Sequence, residues 1–229
     1  WGNGAQHTQR LESWFAHIPG LKVVMPSNAY DAKGLLISSV EDNNPVIFIE
    51  HRWLHNTIDY VPTNGYRVPI GKANVTREGK DVTIVTHSYM ILESIRCAEV
   101  LAKQGISVEV LDLRTIRPLD TETILRSVSK TLRVVVADNG WVQFGVSAEI
   151  ISVITENIFD KLLSAPARIG INDSPSPSTR ALAKSFYPRA DKIAKIISEM
   201  MSKDLDMKAL FPKSDIPLDI PDPSFTGPF

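Results

Sequence analysis

Five histidines are the side chains in this sequence best suited to carry protons, at positions 7, 17, 51, 55 and 87. The unperturbed pKa of histidine lies close to neutrality, so each is a candidate general acid or base. His7 is the best placed, because it lies in a glycine-containing loop and loops on a rigid scaffold often carry catalytic groups. His51 and His55 are four residues apart. They follow the end of a predicted strand and have Trp53 between them, which argues against metal ligation.

The motifs of several common enzyme classes are missing from the sequence. Gly145-Val146-Ser147-Ala148-Glu149 lacks the second glycine of a G-x-S-x-G nucleophile elbow, which argues against a serine hydrolase. There is also no H-E-x-x-H, no G-x-x-x-x-G-K-[ST] and no G-x-G-x-x-G after a strand. The pair Gly2-x-Gly4 is a weak signal that fits a plain turn as well as a ligand loop.

The run Ser39-Val40-Glu41-Asp42-Asn43-Asn44-Pro45 ends a predicted helix. The last carbonyls of a helix have no intrahelical partner and carry partial negative charge. With the Asp42 carboxylate and the Asn44 oxygen nearby, this terminus could hold a cation. On the residues alone, a solvated helix end is the simpler interpretation.

Composition excludes several other classes of protein. The 229 residues include 25 Lys+Arg and 26 Asp+Glu, a net charge of −1 that is too balanced for a dedicated nucleic-acid binder. No stretch reaches the roughly 18 apolar residues of a membrane span. Cys97 is the only cysteine, so an internal disulfide and a multi-thiolate metal site are both excluded, and a reducing compartment is expected.

The elements that must position these side chains follow an α/β pattern, in which short β-branched runs alternate with segments of helical period. Strands are predicted at 46–50, 82–86, 108–112, 134–138 and 168–171, and helices at 30–40, about 89–104, 121–130, 146–158 and 190–202. The second half is therefore expected to form a mostly parallel sheet covered by helices.

Four segments are predicted along the chain. Residues 1–62 form a first, partial domain, because no strand precedes its first helical segment. Residues 63–80 are polar and contain glycine and proline, as is typical of a linker. Residues 81–202 form a complete small α/β domain, and residues 203–229 form a proline-rich arm that we expect to dock on a neighbouring subunit. Because the first residue is Trp1, we expect the chain to begin downstream of a natural start.

Several long motifs, in order, resemble the β subunit of 2-oxo acid dehydrogenase E1 components, the thiamine-diphosphate-dependent pyruvate, branched-chain and acetoin dehydrogenases. In the first half the resemblance rests on Gly4-Ala5-Gln6-His7-Thr8-Gln9, Trp14 to Val24, Asp31-Ala32-Lys33-Gly34-Leu35-Leu36 and Asp42-Asn43-Asn44-Pro45-Val46. In the second half it rests on Asp112 to Asp120, Ser127-Val128-Ser129-Lys130-Thr131 and Gly140 to Ile150. It covers residues 1 to about 200.

The resemblance implies a transketolase-type fold: the C-terminal part of a pyrimidine-binding domain, then a transketolase C-terminal domain with a mostly parallel five-stranded sheet and helices on both faces. It implies an α₂β₂ enzyme in which the α subunit and Mg²⁺ hold the cofactor diphosphate. The implied reaction is oxidative decarboxylation of a 2-oxo acid, with acyl transfer to a lipoyl group of the E2 acyltransferase. The implied compartment is the bacterial cytoplasm or the mitochondrial matrix.

The resemblance also assigns roles to residues. His7 matches the active-site histidine that moves protons during acyl transfer. Ser39, Val40, Asp42 and Asn44 match a structural site for a monovalent cation, typically K⁺. No cofactor-contacting residue is expected in this stretch, because the family's glutamate and its stacking aromatic residue lie upstream of the position that matches Trp1. We therefore expect the chain alone to be inactive.

Two alternatives remain open from the sequence. The chain could act only as an assembly module that pairs with its twin and binds E2. It could also be a relative such as transketolase or 1-deoxyxylulose-5-phosphate synthase, which share the fold. The block Gln6-His7-Thr8-Gln9 followed by His17-x-Pro19-Gly20 favours an E1 subunit.

Overall fold

The strands that the structure describes form two sheets. The computed structural model describes residues 4–183 and 186–212. The strands are β1 (Lys22–Val24), β2 (Val46–Phe48), β3 (Asn74–Arg77), β4 (Val82–Thr86), β5 (Val108–Asp112), β6 (Thr115–Arg117), β7 (Val134–Trp141) and β8 (Ala167–Ile171). The first sheet has the order β2-β1-β6, and the second has the order β3-β5-β4-β7-β8.

Helices connect and cover these strands. They are α1 (Gly4–His7), α2 (Glu12–His17), α3 (Ala29–Val40), α4 (Met90–Ala102), α5 (Thr121–Thr131), α6 (Val146–Ile158), α7 (Arg180–Ala183), α8 (Ala190–Met200) and α9 (Met207–Leu210). Short 3-10 turns span Arg52–Leu54 and Phe159–Lys161. Among the described residues, none of the helices combines the length and the apolar character needed to cross a membrane.

The five-stranded sheet is the core of the second half. Strands β4, β5, β7 and β8 are parallel, and only β3 is antiparallel, to β5. Because side chains alternate across a strand, Ile84 packs with α4 and α8 on one face while Val85 packs with α5 and α6 on the other. Every residue of β4 and β5 is buried, as expected for strands covered on both faces. The predicted fold class is confirmed.

The stretch 63–80, predicted as a linker, contributes a strand to the second sheet. Within it, Asn74 and Val75 of β3 pair with Asp112 and Leu111 of β5. The strand is short and partly polar because it lies at the sheet edge, so its sequence lacks the apolar run that identifies a central strand. The domain boundaries themselves stay predictions.

Strand β6 joins the two halves of the chain. It follows β5 directly, yet it pairs antiparallel with β1 of the first sheet. Nearby, the Met25 amide donates to the Arg114 carbonyl at 2.8 Å, and the Arg114 guanidinium donates to Asp31 Oδ1 at 3.0 Å. The sheet of the first part therefore includes a strand from the second part.

Helix α3 packs closely against the segment after it, because Gly34 carries no side chain. A Cβ atom at Gly34 would lie 2.4 Å from Val68 Cγ2 and 2.9 Å from Tyr66 Cε2. Val68 is only 3% exposed, so it has little room to move.

We predict that Gly34→Ala destabilises the protein by about 1–3 kcal/mol through overpacking, despite the better helix propensity of alanine. Urea unfolding followed by circular dichroism measures the change. Gly65→Ala is the matched control, since its nearest neighbour would lie 3.7 Å away. If both variants had the same free energy of unfolding as the parent, the interpretation that Gly34 is closely packed against Val68 and Tyr66 would be wrong.

The first part of the predicted arm packs on the second domain. Leu205, Met207 and Phe211 lie against the core cluster that contains α4 and α8. Asp206 caps α9 by accepting from the amides of Lys208 and Ala209. The rest of the predicted arm, from residue 213 onward, lies outside the described residues, as does Gly2.

Candidate active site

The loop that carries His7 lies against the second domain. His7 ends helix α1 and is exposed. The Thr8 hydroxyl donates to the Gly4 carbonyl, and the Ser176 hydroxyl donates to the Thr8 carbonyl at 3.4 Å. Gly4 adopts a φ of +73°, which favours glycine, and approaches Ser178. These contacts hold an exposed imidazole at a fixed place between the two halves.

His7 borders a cavity of about 370 Å³ whose wall comes from both halves of the chain. The first half contributes residues of the 7–15 segment and the 49–52 segment, and the second half contributes Asn139, Ile171, Ser176 and Tyr187. Asn139 Oδ1 is buried and has no hydrogen-bond partner among the described residues. The volume falls within the range of small-molecule sites, in which a few polar groups fix a ligand.

His51 is a second imidazole in the wall of this cavity, and its neighbours fix its tautomer. Its Nδ1 accepts from the Trp53 amide at 3.2 Å, so in the neutral ring the proton is on Nε2. Burial, together with the positive charge of Arg10, lowers the pKa of His51 well below its ordinary value. His51 is therefore a neutral hydrogen-bond donor near neutral pH.

An aromatic cluster, consisting of His51, Trp53, Tyr89 and Tyr187, supports that ring. His51 stacks on Tyr89 with 5.2 Å between ring centroids, and Trp53 meets the edge of Tyr89 at 4.8 Å. The Tyr89 hydroxyl donates to the buried carboxylate of Glu93 at 2.7 Å, and burial raises the pKa of Tyr89. The cluster joins the 3-10 turn of the first half to α4.

The predicted cation site lies at the end of α3. The Asp42 carboxylate accepts from the Lys22 ammonium and from the amide and side chain of Asn44, and the hydrogen bond from Lys22 lowers the pKa of Asp42 to about 2. The Ser39 hydroxyl donates back to the Leu35 carbonyl at 2.7 Å. Asp42 already has a cationic partner, so a bound K⁺ would have to rely mainly on the carbonyls that close the helix.

A third group of side chains was not identified from the sequence. Glu12, His87 and Asp138 are buried, and one ligand atom of each lies within 4.8 Å of the others. His87 was one of five candidate histidines, but nothing in the sequence relates it to Glu12 or Asp138, which are 75 and 51 residues away.

The residues around the His7 cavity fit the reacting end of a thiazolium cofactor. His7 and His51 offer one exposed and one neutral imidazole, and Asn139 offers an acceptor without a partner. Arg10, a cation of the wall, is already paired with Glu12 at 3.2 Å.

Comparison with known proteins identifies both halves of the chain. Residues 71–193 match the transketolase C-terminal domain family, and residues 3–57 match the transketolase pyrimidine binding domain family. A solved structure titled split gene transketolase, inactive beta4 tetramer, superposes with a TM-score of 0.72 at 24% identity, over 87% of this chain and 64% of that one. At this identity the likeness shows the fold alone.

Curated relatives are more similar in sequence. The mitochondrial pyruvate dehydrogenase E1 component subunit beta of Dictyostelium discoideum is 48% identical over 194 residues, which cover 83% of this chain and 54% of that protein. The acetoin:2,6-dichlorophenolindophenol oxidoreductase subunit beta of Cupriavidus necator is 43% identical, over 83% of this chain and 56% of that protein. The chain thus spans about half the length of these relatives. It belongs to the transketolase family, and its strong homologues there are the beta subunits of pyruvate dehydrogenase E1 and of an acetoin-oxidising enzyme.

Proposed function

We propose that this chain is part of the β subunit of a thiamine-diphosphate-dependent 2-oxo acid dehydrogenase. The parent protein decarboxylates a 2-oxo acid and passes the acyl group to a lipoyl group on E2. The observation that carries the proposal is the placement of His7 at a cavity lined by residues of two transketolase-type segments of the chain. The names of the relatives, which include pyruvate dehydrogenase and acetoin enzymes, support the substrate class.

The residues of this chain would transfer protons and position the substrate through hydrogen bonds. When bound, thiamine diphosphate supplies the carbon nucleophile that adds to the keto carbon of the substrate. The His7 imidazole is exposed to the cavity, so it can take up or release a proton at a ring nitrogen during acyl transfer. The Nε2–H of His51 donates a hydrogen bond without changing charge, since the ring stays neutral.

Reconstitution tests this proposal. The full-length parent is mixed with its α subunit, thiamine diphosphate and Mg²⁺, and CO₂ release from pyruvate and from branched 2-oxo acids is measured with an artificial electron acceptor. We expect release that requires thiamine diphosphate and both subunits. Ketol transfer between sugar phosphates, without 2-oxo acid decarboxylation, would instead identify a transketolase.

We further propose that the partners are an E1 α subunit, a second β subunit and the E2 acyltransferase. Trp14 is 70% exposed and Phe144 is 92% exposed, and both line a cavity of about 1260 Å³ that also includes Ile18. Large exposed apolar side chains gathered at one cavity are typical of surfaces that a partner covers. The compartment is the bacterial cytoplasm or the mitochondrial matrix, in line with relatives of both kinds.

We also propose K⁺ as the ion at the end of α3, bound through Ser39, Val40, Asp42 and Asn44. The thermal midpoint should then be higher in KCl than in choline chloride at equal ionic strength, and Asn44→Ala should reduce that difference. Lys22→Met should keep or enlarge the difference, because it frees the Asp42 carboxylate while leaving the proposed ligands in place. Equal midpoints in the two salts would contradict the proposal.

A further inference from the structure

Glu12, His87 and Asp138 form a buried cluster of possible metal ligands between the two halves of the chain. They are 3%, 2% and 2% exposed, and one ligand atom from each lies within 4.8 Å of the other two. Glu12 begins α2, His87 directly follows β4, and Asp138 lies within β7. The cluster is distinct from the His7 imidazole and from the end of α3.

The sheet itself brings two of these residues together. Strands β4 and β7 are parallel neighbours, and Thr86 pairs with Ala137, so His87 and Asp138 are the next residues on adjacent strands. This is the carboxyl end of a parallel sheet, where ligands bind in open α/β folds. His87 Nε2 lies 3.5 Å from Asp138 Oδ1.

A glycine makes room for the third residue. A Cβ atom at Gly140 would lie 3.1 Å from Glu12 Oε1 and 3.3 Å from Asp138 Oδ2, so both carboxylates crowd against the same backbone position. The Gly140 amide donates to Asp138 Oδ1 at 2.9 Å, and Arg10 Nε donates to Glu12 Oε1 at 3.2 Å. One oxygen of each carboxylate is thus held in place by the protein.

Three other polar atoms of the cluster have no such partner. Both ring nitrogens of His87 and Asp138 Oδ2 are buried without a hydrogen bond from the described residues. A single ion can bind Asp138 Oδ2 and one of the two His87 ring nitrogens, since these nitrogens lie on different sides of the ring, so it would give two of the three atoms a partner. A metal ion accepts lone pairs from the imidazole and from both carboxylates at once.

The charges of the buried side chains also favour a bound cation. Glu12 and Asp138 are two buried carboxylates, and Arg10 pairs with Glu12. A divalent ion supplies further positive charge at the point where the carboxylates converge. One imidazole with two carboxylates suits Zn²⁺, Co²⁺ or Mn²⁺, whereas Ca²⁺ and Mg²⁺ prefer oxygen ligands alone.

We propose that Glu12, His87 and Asp138 bind one divalent transition-metal ion that links the first domain to the second. Glu12 and Asp138 also line the cavity of about 1260 Å³, which gives the ion a way in and leaves coordination positions for water. The proposal goes beyond the proposed function, because it does not depend on decarboxylation and involves neither thiamine diphosphate nor its Mg²⁺.

Cobalt titration tests the site. The full chain, without an affinity tag and after treatment with EDTA, is titrated with CoCl₂ while the visible absorption and the thermal midpoint are followed. We expect one Co²⁺ per chain, visible d–d bands and a higher midpoint. Glu12→Gln, His87→Gln and Asp138→Asn should each weaken binding by more than about 100-fold, since losing even an outer-shell partner costs 10- to 100-fold.

Two further variants keep the test decisive. His17→Gln is the matched control, because His17 is an exposed histidine that borders the same cavity, and it should bind Co²⁺ like the parent. His87→Cys should retain Co²⁺ and add a thiolate-to-cobalt charge-transfer band, which a purely structural histidine would not produce. Absence of stoichiometric Co²⁺, or equal binding by His87→Gln with a native circular dichroism spectrum, would overturn the proposal.

Discussion

His7→Ala should lower the rate of lipoyl acylation by about 10²–10⁴-fold in the assembled enzyme, which is the usual contribution of general acid–base catalysis. His7 is exposed, so the substitution should change the free energy of unfolding by no more than about 0.5 kcal/mol. The measurement is the rate of acyl transfer to a lipoyl domain, compared with CO₂ release to an artificial electron acceptor. We expect the rate of acyl transfer to the lipoyl domain to fall more than the rate of CO₂ release.

His55→Ala is the control for this comparison. Its side chain is 53% exposed and its Nε2 lies 3.8 Å from Glu50 Oε2, outside the wall of the His7 cavity. It should leave both rates close to those of the parent. If His7→Ala acylated the lipoyl domain as fast as the parent enzyme, the assignment of His7 as the proton carrier would be wrong.

The largest expected effect on stability comes from Asp112, a fully buried carboxyl group at the end of β5. Burial raises the pKa of Asp112 to about 7, although the Ser27 hydroxyl and the Arg114 amide donate to it. In the unfolded chain the same group titrates near 3.9. Between about pH 4 and pH 7 the folded state therefore holds a proton that the unfolded state has lost.

The sign of the pH dependence follows from this difference. Because the folded state binds more protons, the Asp112 contribution to stability falls as pH rises from 4 to 7 and is constant above that range. Three pKa units correspond to about 4 kcal/mol. Asp112→Asn cannot titrate, and its amide can still hydrogen-bond Ser27. We predict that the variant gains stability relative to the parent by up to about 4 kcal/mol across this window.

Urea unfolding of both proteins from pH 4 to pH 8 measures this difference. Subtracting the two curves removes the titration of the groups they share. Asp120→Asn is a matched control, because the pKa of Asp120 is lowered and the group accepts hydrogen bonds from Ala73 and Thr123. Replacing this carboxylate should change stability in the opposite direction, so that the variant is less stable than the parent. A flat Asp112 difference curve would mean that this carboxyl group is ionised throughout the range.

The central strands and helices could be predicted because each carries its own local signal. Helix α6 (Val146–Ile158) was predicted at about 146–158, since Gly145 precedes it and its apolar residues follow a helical period. Strands β4 and β5 are unbroken runs rich in valine and isoleucine, buried on both faces. Here local propensity, hydrophobic pattern and tertiary burial all agree.

The edge strand β3 and the strand β6, which pairs with the other sheet, could not be predicted in this way. Strands β3 and β6 are three or four residues long, and both are defined by a partner distant in sequence: β6 pairs with β1 about 90 residues earlier. The buried cluster brings together Glu12 of helix α2 and two residues at neighbouring strands of the second sheet, which are distant from it in sequence. Short polar segments carry too little periodicity to indicate such pairings.

The site residues illustrate the same limit. His7 was identified by its loop and by the resemblance, and the structure places it at the cavity, but its role stays a prediction. His51 was one candidate among five, and its role as a neutral donor follows from its burial near Arg10, which lowers its pKa, and from the hydrogen bond of the Trp53 amide to its Nδ1. A pKa is set by surroundings that the local sequence does not contain.

The most direct test of the central claim is the structure of the full-length parent assembled with its α subunit and an unreactive thiamine diphosphate analogue. The measured quantity is the distance from the His7 ring nitrogens to the reacting end of the cofactor. We predict a distance within reach of a hydrogen bond, either direct or through one water molecule. An imidazole at position 7 that faces bulk solvent or an unrelated surface, away from the cofactor, would contradict the claim.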